Sequence, residues 1–500
     1  MTTHHFSDLD SHGVHPKVAT ANRLDPYWDG LWASGSTASW VNVESARRQV
    51  SSGLATMPWY LDMTQEQARE IFFNASGWRR RLEAYGALGS WRTLSAEQLA
   101  AFTGAPSMAG RNRSMNAAFN LGLADLGIFT TGLVSTSIKD RARLFRPAAL
   151  GAFDRILEPE LTYPEKVLVS GGYRYTGGGQ FDRHNLLTAE LGLRVAEFLP
   201  NVGTVLGESL SGIDLLAGTG LGLEEKTKQR RSADATLIRD DGMRVVVEMT
   251  ASVTPYFSEK VRRWVHLLAT TTLSHSGITV LFVGAPKPDR TSQMKGASEF
   301  RAQMKQAVRE AVREFPGISG SNPHERIGVA LWEDFFPEPG MVDEDFLDLT
   351  VEMVGAGGSG WLKQSLWNLP LNPLRPGFLT AVIDNAAATA SPPVWLRRGR
   401  SIPDLYKFAL HQTGIPEGST PSALTVDRLS NHPTDDEGGN QAASSQLPVF
   451  EDDLNPDDLA PFDGDIPHLP PPDHTQTDEW DELPDFEDTA APGEGDIPVF

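Results

Sequence analysis

At 500 residues the chain is too long for one hydrophobic core, and two or three folded units are expected. Its formal charge of −21 is unevenly placed: Thr434 to Phe500 holds 20 Asp and Glu and no Lys or Arg, leaving −1 for the first 433 residues. The absence of cysteine excludes a disulfide scaffold, a thiol nucleophile and a Cys-ligated zinc site.

The opening stretch, MTTHHFSDLDSHG, lacks the apolar core of a signal peptide. No uncharged apolar run reaches the roughly 18–20 residues of a spanning helix. The nearest, Leu121 to Ile138, is broken by Asp125. A cytoplasmic chain without membrane contact is therefore expected. Residues 1–90 read as a partly helical region, although residues 1 to about 40 show no clear period. From Val43 to about Gly86 the apolar residues fall three and four apart, and Thr64 with Gln67 forms a capping-box signal.

Residues 91–160 have a distinctive order. Ser95, with Gln98 at the capping-box position, starts a short helix that runs to Phe102, and Thr103 to Pro106 ends it. A second helix is expected from near Ser107, carrying Arg111, Asn112, Arg113 and Asn116 among Met115, Phe119 and Leu123. Ile128 to Val134 and the segment SIKDRARLFRPA then read as two strands with a basic tip bearing Lys139, Arg141 and Arg143. Short helix, turn, polar-faced helix and β-wing together make a winged helix-turn-helix. Its second helix would lie in the major groove of double-stranded DNA, where Arg and Asn pair with guanine and adenine edges. A helical bundle with a solvated basic face is the alternative.

Leu161 to Gly179 reads as a strand pair, with its glycines in turns rather than in a phosphate loop, because the Walker Lys-Ser/Thr ending is missing. His184 to Phe198 is an amphipathic helix. Ala235 to Arg239 and Arg244 to Met249 form a hairpin about Asp240-Asp241-Gly242. A helix from about Ser258 to Leu273 follows. The apolar run Ile278 to Val283 then reads as a strand buried on both faces of a mixed sheet.

Asp234 before the first hairpin strand and Glu248 near the end of the second come close at one end of such a sheet. Paired hard oxygens of this kind hold Mg²⁺, which activates water and neutralises a scissile phosphate. Glu208, in GTVLGESL, is a third carboxylate. The arrangement resembles the PD-(D/E)XK nuclease fold, in which an early acidic residue, an Asp before a hairpin strand and an acidic-X-Lys triplet make the metal site. Glu208, Asp234 and Glu248 match the first three positions, but Thr250 stands where the family has Lys. The resemblance implies that Lys260, on the following helix with Arg262 and Arg263, either replaces that lysine or binds a phosphate. The plain alternative makes Asp234 a turn cap and Glu248 an edge-strand surface residue.

The landmarks LSAEQLAAFTG, LADLGIF, RHNLLTAELGLRV, GES and ADATLIRDDG, spanning Leu94 to Ala285, are similar to those of the replication-relaxation family of bacterial mobile elements. That resemblance implies a role in plasmid or conjugative-element replication, or in processing DNA at an origin. The expected fold class is thus α+β or α/β multidomain: the N-terminal region (1–90), the winged helix (91–160), a restriction-endonuclease-like mixed sheet flanked by helices (161–345), an extension without assigned role (346–433) and the acidic tail (434–500).

The tail's Pro-, Asp- and Glu-rich composition cannot bury enough surface to fold. Its end, Gly495 to Phe500, is similar to the acidic tip of bacterial single-stranded-DNA-binding proteins, which implies docking of replication proteins on Ile497, Pro498 and Phe500. A solvating tail that competes with DNA for the protein's own basic face is the alternative. Three functions stay open at this point. They are a DNA-binding factor on a degenerate nuclease-like domain, an active Mg²⁺-dependent endonuclease, and a hub that recruits replication partners.

Overall fold

The N-terminal forty residues, which carry no period in sequence, are held by side-chain hydrogen bonds rather than by long elements. The computed structural model describes residues 2–397, apart from residues 34, 111, 131–142, 149–150, 171–174, 176–181, 212–232, 288–293, 319 and 372–391. Strand β1 (Thr3–His5) pairs antiparallel with Met341–Asp343. Tyr27 and Trp32 are buried, donating to the carbonyls of Pro286 and Ala285 at 2.7 Å each.

Strand β2 (Thr37–Val41) leads into helices α1 (Val43–Ser51), α2 (Gln65–Phe73) and α3 (Trp78–Trp91). Thr64 and Gln67 form the expected capping box on α2, and Ser95 and Gln98 do the same on α4 (Ala96–Thr103), which follows the short strand β3 (Leu94–Ser95). Helix α5 (Arg113–Asn120) begins six residues later than the sequence suggests. Pro106–Ala109 forms a separate 3₁₀ turn, and the Asn112 side chain caps α5 by accepting from the amides of Ser114 and Met115. Strands β4 (Ala124–Thr130) and β5 (Arg143–Pro147) pair antiparallel in a four-stranded sheet ordered β2-β4-β5-β3, the first of them beginning four residues before the Ile128 start that the sequence suggests.

The strand pair expected at Leu161–Gly179 is not formed in the described part of that segment. Tyr163–Ser170 is instead a helix, α6. Thr162 and Glu165 explain it: the Thr162 amide and hydroxyl both donate to Glu165 Oε2 at 2.8 Å. This Thr-x-x-Glu start, with Pro164 in the first turn, outweighs the glycines that follow.

Helix α7 (Asp182–Phe198) is buried at every residue from Asn185 to Phe198. It packs against β6 (Val202–Gly207) and β7 (Ala235–Arg239). Strand β8 (Arg244–Thr250), helix α8 (Pro255–Thr270), strand β9 (Ile278–Gly284), helix α9 (Met294–Glu314) and strand β10 (Ile327–Leu331) follow. After β11 (Met341–Asp343), the partner of β1, come β12 (Thr350–Val354) and β13 (Trp361–Ser365). Seven strands make one mixed sheet in the order β13-β12-β10-β9-β8-β7-β6. Strands β8, β9 and β10 run parallel because α8 and α9 carry the chain back between them; the other pairs are antiparallel. Val261, Trp264 and Leu268 of α8 and Met304 and Val308 of α9 share one core with Val246, Val280, Phe282 and Val329 of the sheet. All seven residues of β9 are buried, as its apolar run implies. The described residues belong to one compact unit, and no described helix is long and apolar enough to cross a membrane.

The N-terminal strap is fastened to α7 through Arg23, whose side chain is wholly buried. Its guanidinium donates to Glu190 (Nη2–Oε1 2.9 Å), Glu197 (Nη1–Oε1 2.7 Å), the Thr20 hydroxyl at 2.9 Å and the Val18 carbonyl at 2.6 Å. Arg194 adds a bond to Asp25 at 2.7 Å. Replacing Arg23 by Met would leave Glu190 and Glu197 buried without their main counter-charge. The expected loss is about 3–5 kcal/mol, read by chemical denaturation; a loss below about 1 kcal/mol would refute the strap's structural role.

Candidate functional site

The β7–β8 hairpin pairs Ala235 with Val247, which places Asp234 and Glu248 at the same end of the sheet. One carboxylate oxygen of Asp234 (Oδ2) accepts from the Met249 amide at 2.6 Å. The other (Oδ1) lies 3.1 Å from His184 Nε2, contributed by the first turn of α7. Glu248 accepts from Lys260 Nζ at 2.8 Å and from the Trp264 indole at 2.5 Å. Lys260 and Trp264 are four residues apart on α8, so both reach one carboxylate from the same helix face.

Glu208 opens the turn after β6, and the pairing of Gly207 with Ala235 sets it beside Asp234. Gly207 is required there because a Cβ would stand 2.3 Å from the Ser90 carbonyl oxygen at the end of α3. That close approach brings Arg92 to Glu208, with Nε 3.1 Å from Oε2. The four residues proposed from sequence, Glu208, Asp234, Glu248 and Lys260, thus converge. Thr250 is turned aside, its hydroxyl donating to the Ser252 carbonyl at 2.5 Å.

The electrostatics follow from burial and neighbours. Burial disfavours the charge on Asp234, but His184, Lys260 and the Met249 amide outweigh it and hold this carboxyl well below the usual range. Glu248 goes the other way: burial, then the nearby Asp234 charge, push it up despite Lys260 and Trp264. Burial opposes the charge on both Lys260 and His184, yet the facing carboxylates raise both pKa values. Burial raises Glu208 against the pull of Arg92.

These residues do not suit a divalent cation as arranged. Each oxygen of Asp234 and Glu248 already faces a protein donor, and the Lys260 ammonium stands 2.8 Å from Glu248 where a metal would need room. Among the described residues, no group of three or more Asp, Glu or His is set to hold a metal ion.

The residues expected from the sequence to read DNA are placed less favourably. Asn116 is buried and donates to the Tyr60 carbonyl at 3.2 Å, while Asn120, one turn on, donates to the Leu61 carbonyl at 3.1 Å. From Met115 to Asn120 the helix is buried throughout, so Asn116 is not available to a base, a correction to its sequence assignment. Asn112 is occupied as the helix cap. Arg113 is exposed; Arg143 donates to the Gly110 carbonyl at 3.4 Å and lies 5.3 Å from the Tyr60 ring centre. Arg111, Lys139 and Arg141 fall outside the described residues, as do Ile497, Pro498 and Phe500. Arg262 is paired with Glu314 and Glu259 rather than with the cluster, and Arg263 lies against the Tyr256 ring at 5.9 Å.

His184, Trp264 and Arg92 join the site beyond the residues expected there from the sequence. The i, i+4 relation to Lys260 could have flagged Trp264; nothing local flags Arg92. No protein-family model, curated protein or solved structure matches the chain.

The His184–Asp234 pair has a defined pH window. The raised histidine pKa gives stability that is complete below its ordinary value of about 6.5 and is lost as pH rises through the folded value. The depressed aspartate pKa gives stability that is complete above about 3.9 and is lost as pH falls through the folded value. The melting-temperature gap between wild type and His184→Gln is therefore expected to be widest between these limits and to shrink in alkali. A gap that widens with rising pH would contradict the pairing.

Proposed function

We propose that this chain is a cytoplasmic DNA-binding factor of replication or conjugative transfer in a bacterial mobile element, with a nuclease-like domain that grips DNA without cutting it. One observation carries the reading: Asp234, Glu248 and Lys260 meet beside Glu208 at one end of the β6–β8 strands, with His184 paired to Asp234 and Lys260 to Glu248. The PD-(D/E)XK resemblance asks for such a convergence, and in this reading Lys260, paired with Glu248, is the candidate replacement for the lysine that Thr250 displaces. In this reading the cluster binds a phosphate backbone by exchanging ion partners and does not activate water through Mg²⁺.

The order α3, β3, α4, α5 and the β4–β5 pair supports a winged helix-turn-helix module. In this reading its DNA contacts come from the wing and the start of α5 (Arg111, Arg113, Lys139, Arg141 and Arg143), because the Asn116 face is covered. The acidic tail serves as a dock for replication proteins through Ile497, Pro498 and Phe500.

The test is double-stranded DNA binding across a salt series, together with cleavage of supercoiled and single-stranded plasmid DNA in Mg²⁺ or Mn²⁺, comparing wild type with Asp234→Ala. Binding that weakens steeply with salt and leaves the plasmid intact is expected. Failure to bind would dismiss the DNA reading. Metal-dependent nicking abolished by the substitution would make the protein an endonuclease with Lys260 as the displaced lysine.

A further inference from the structure

Arg92 has a backbone conformation that its residue type does not favour. With φ 62° and ψ −51°, it is the centre of a γ-turn closed by the Thr93 amide donating to the Trp91 carbonyl at 2.7 Å. Turns of this hand are rare and strained for a residue with a side chain, at a cost of about 1–3 kcal/mol. Such strain persists only where the surroundings enforce it. Here Trp91 and Thr93 are buried on either side, the Thr93 hydroxyl donates to Asp182 at 2.6 Å, and Ser90 is pressed against Gly207. Glycine would take the turn at little cost, yet the chain places there a guanidinium that reaches the carboxylate cluster.

The contact it makes is incomplete. Arg92 Nε lies 3.1 Å from Glu208 Oε2, but the approach is poorly aligned and the buried Nε–H has no hydrogen-bond partner. Both side chains stay partly open, at 29% for Arg92 and 26% for Glu208. A guanidinium presents planar donors that match two oxygens of a phosphate at once, whereas its present fit to Glu208 uses that geometry poorly.

We propose that Arg92 is a phosphate-binding residue at the mouth of the cluster, held ready by the γ-turn and exchanging Glu208 for a backbone phosphate when nucleic acid arrives. The inference rests on the DNA-binding reading above and adds the residue that makes the contact. No covalent step is involved: one ion pair replaces another. Glu208 acts as the resting partner of the guanidinium, so neutralising it favours the phosphate.

The experiment uses the full chain and a fluorescently labelled duplex oligonucleotide, with binding followed by anisotropy from low to moderate salt. Arg92→Gly keeps the turn and removes the guanidinium. It is expected to melt no lower than wild type, to bind about tenfold more weakly, and to lower the slope of log affinity against log salt by about one. Glu208→Gln is expected to bind tighter than wild type. If wild type binds and Arg92→Gly matches it in affinity and slope, Arg92 is only a structural clamp and the DNA reading survives. If Arg92→Gly melts lower, the sign for Glu208→Gln decides: unchanged or weaker binding overturns the proposal. Wild type that binds no oligonucleotide at any salt removes the DNA reading and Arg92's role together.

Discussion

The Arg23 guanidinium, buried against Glu190 and Glu197, is the interaction on which the other parts of the molecule depend. It fixes one side of α7 to the N-terminal strap. The start of the same helix serves the other contacts: Asp182 accepts from Thr93 and from the Trp40 indole at 2.7 Å, and His184 faces Asp234. One helix thereby sets the spacing between the four-stranded sheet and the seven-stranded sheet. Buried ion pairs contribute little net stability compared with apolar replacements, but a broken one is costly.

That fixed spacing shapes the chemistry. Three carboxylates and three basic side chains meet where β6, the β7–β8 hairpin, α8, the start of α7 and the end of α3 converge. Burial sharpens each pairing, because charges taken out of water interact more strongly and find fewer substitutes. The outcome is a division of roles between Asp234, held ionised, and Glu248, whose affinity for a proton is raised. Their titration belongs to the pair rather than to either residue.

Local signals explain which parts were legible in the sequence. The Asp240-Asp241-Gly242 turn between two short apolar runs was enough to read β7 and β8, and the unbroken apolar run Ile278–Val283 announced a buried strand. The capping boxes at Thr64 and Ser95 marked two helix starts correctly. Convergence of Glu208, Asp234, Glu248 and Lys260 was also legible, since hairpin register and one helical turn determine most of it. Other features depend on distant partners. Nothing near Asn116 in sequence reveals that the Tyr60–Leu61 turn covers it. The strap has no period because side-chain hydrogen bonds, not a regular face, hold it. The Thr162–Glu165 helix start stands just before glycines that favour turns between strands, and Arg92 sits in a turn conformation that no arginine advertises.

His184, Lys260 and Arg92 face the three carboxylates, and the proposed reading has these cations, rather than a metal, balance them. Thermal unfolding in millimolar Mg²⁺ or Mn²⁺, beside an equal ionic strength of NaCl, tests it most directly. A ligand at a hundred times its Kd stabilises the native state by about 2.7 kcal/mol, so a real site would raise Tm visibly. No difference between the metal and the NaCl control is expected. A saturable rise in Tm that disappears in Asp234→Ala would contradict it and restore a metal centre to this fold.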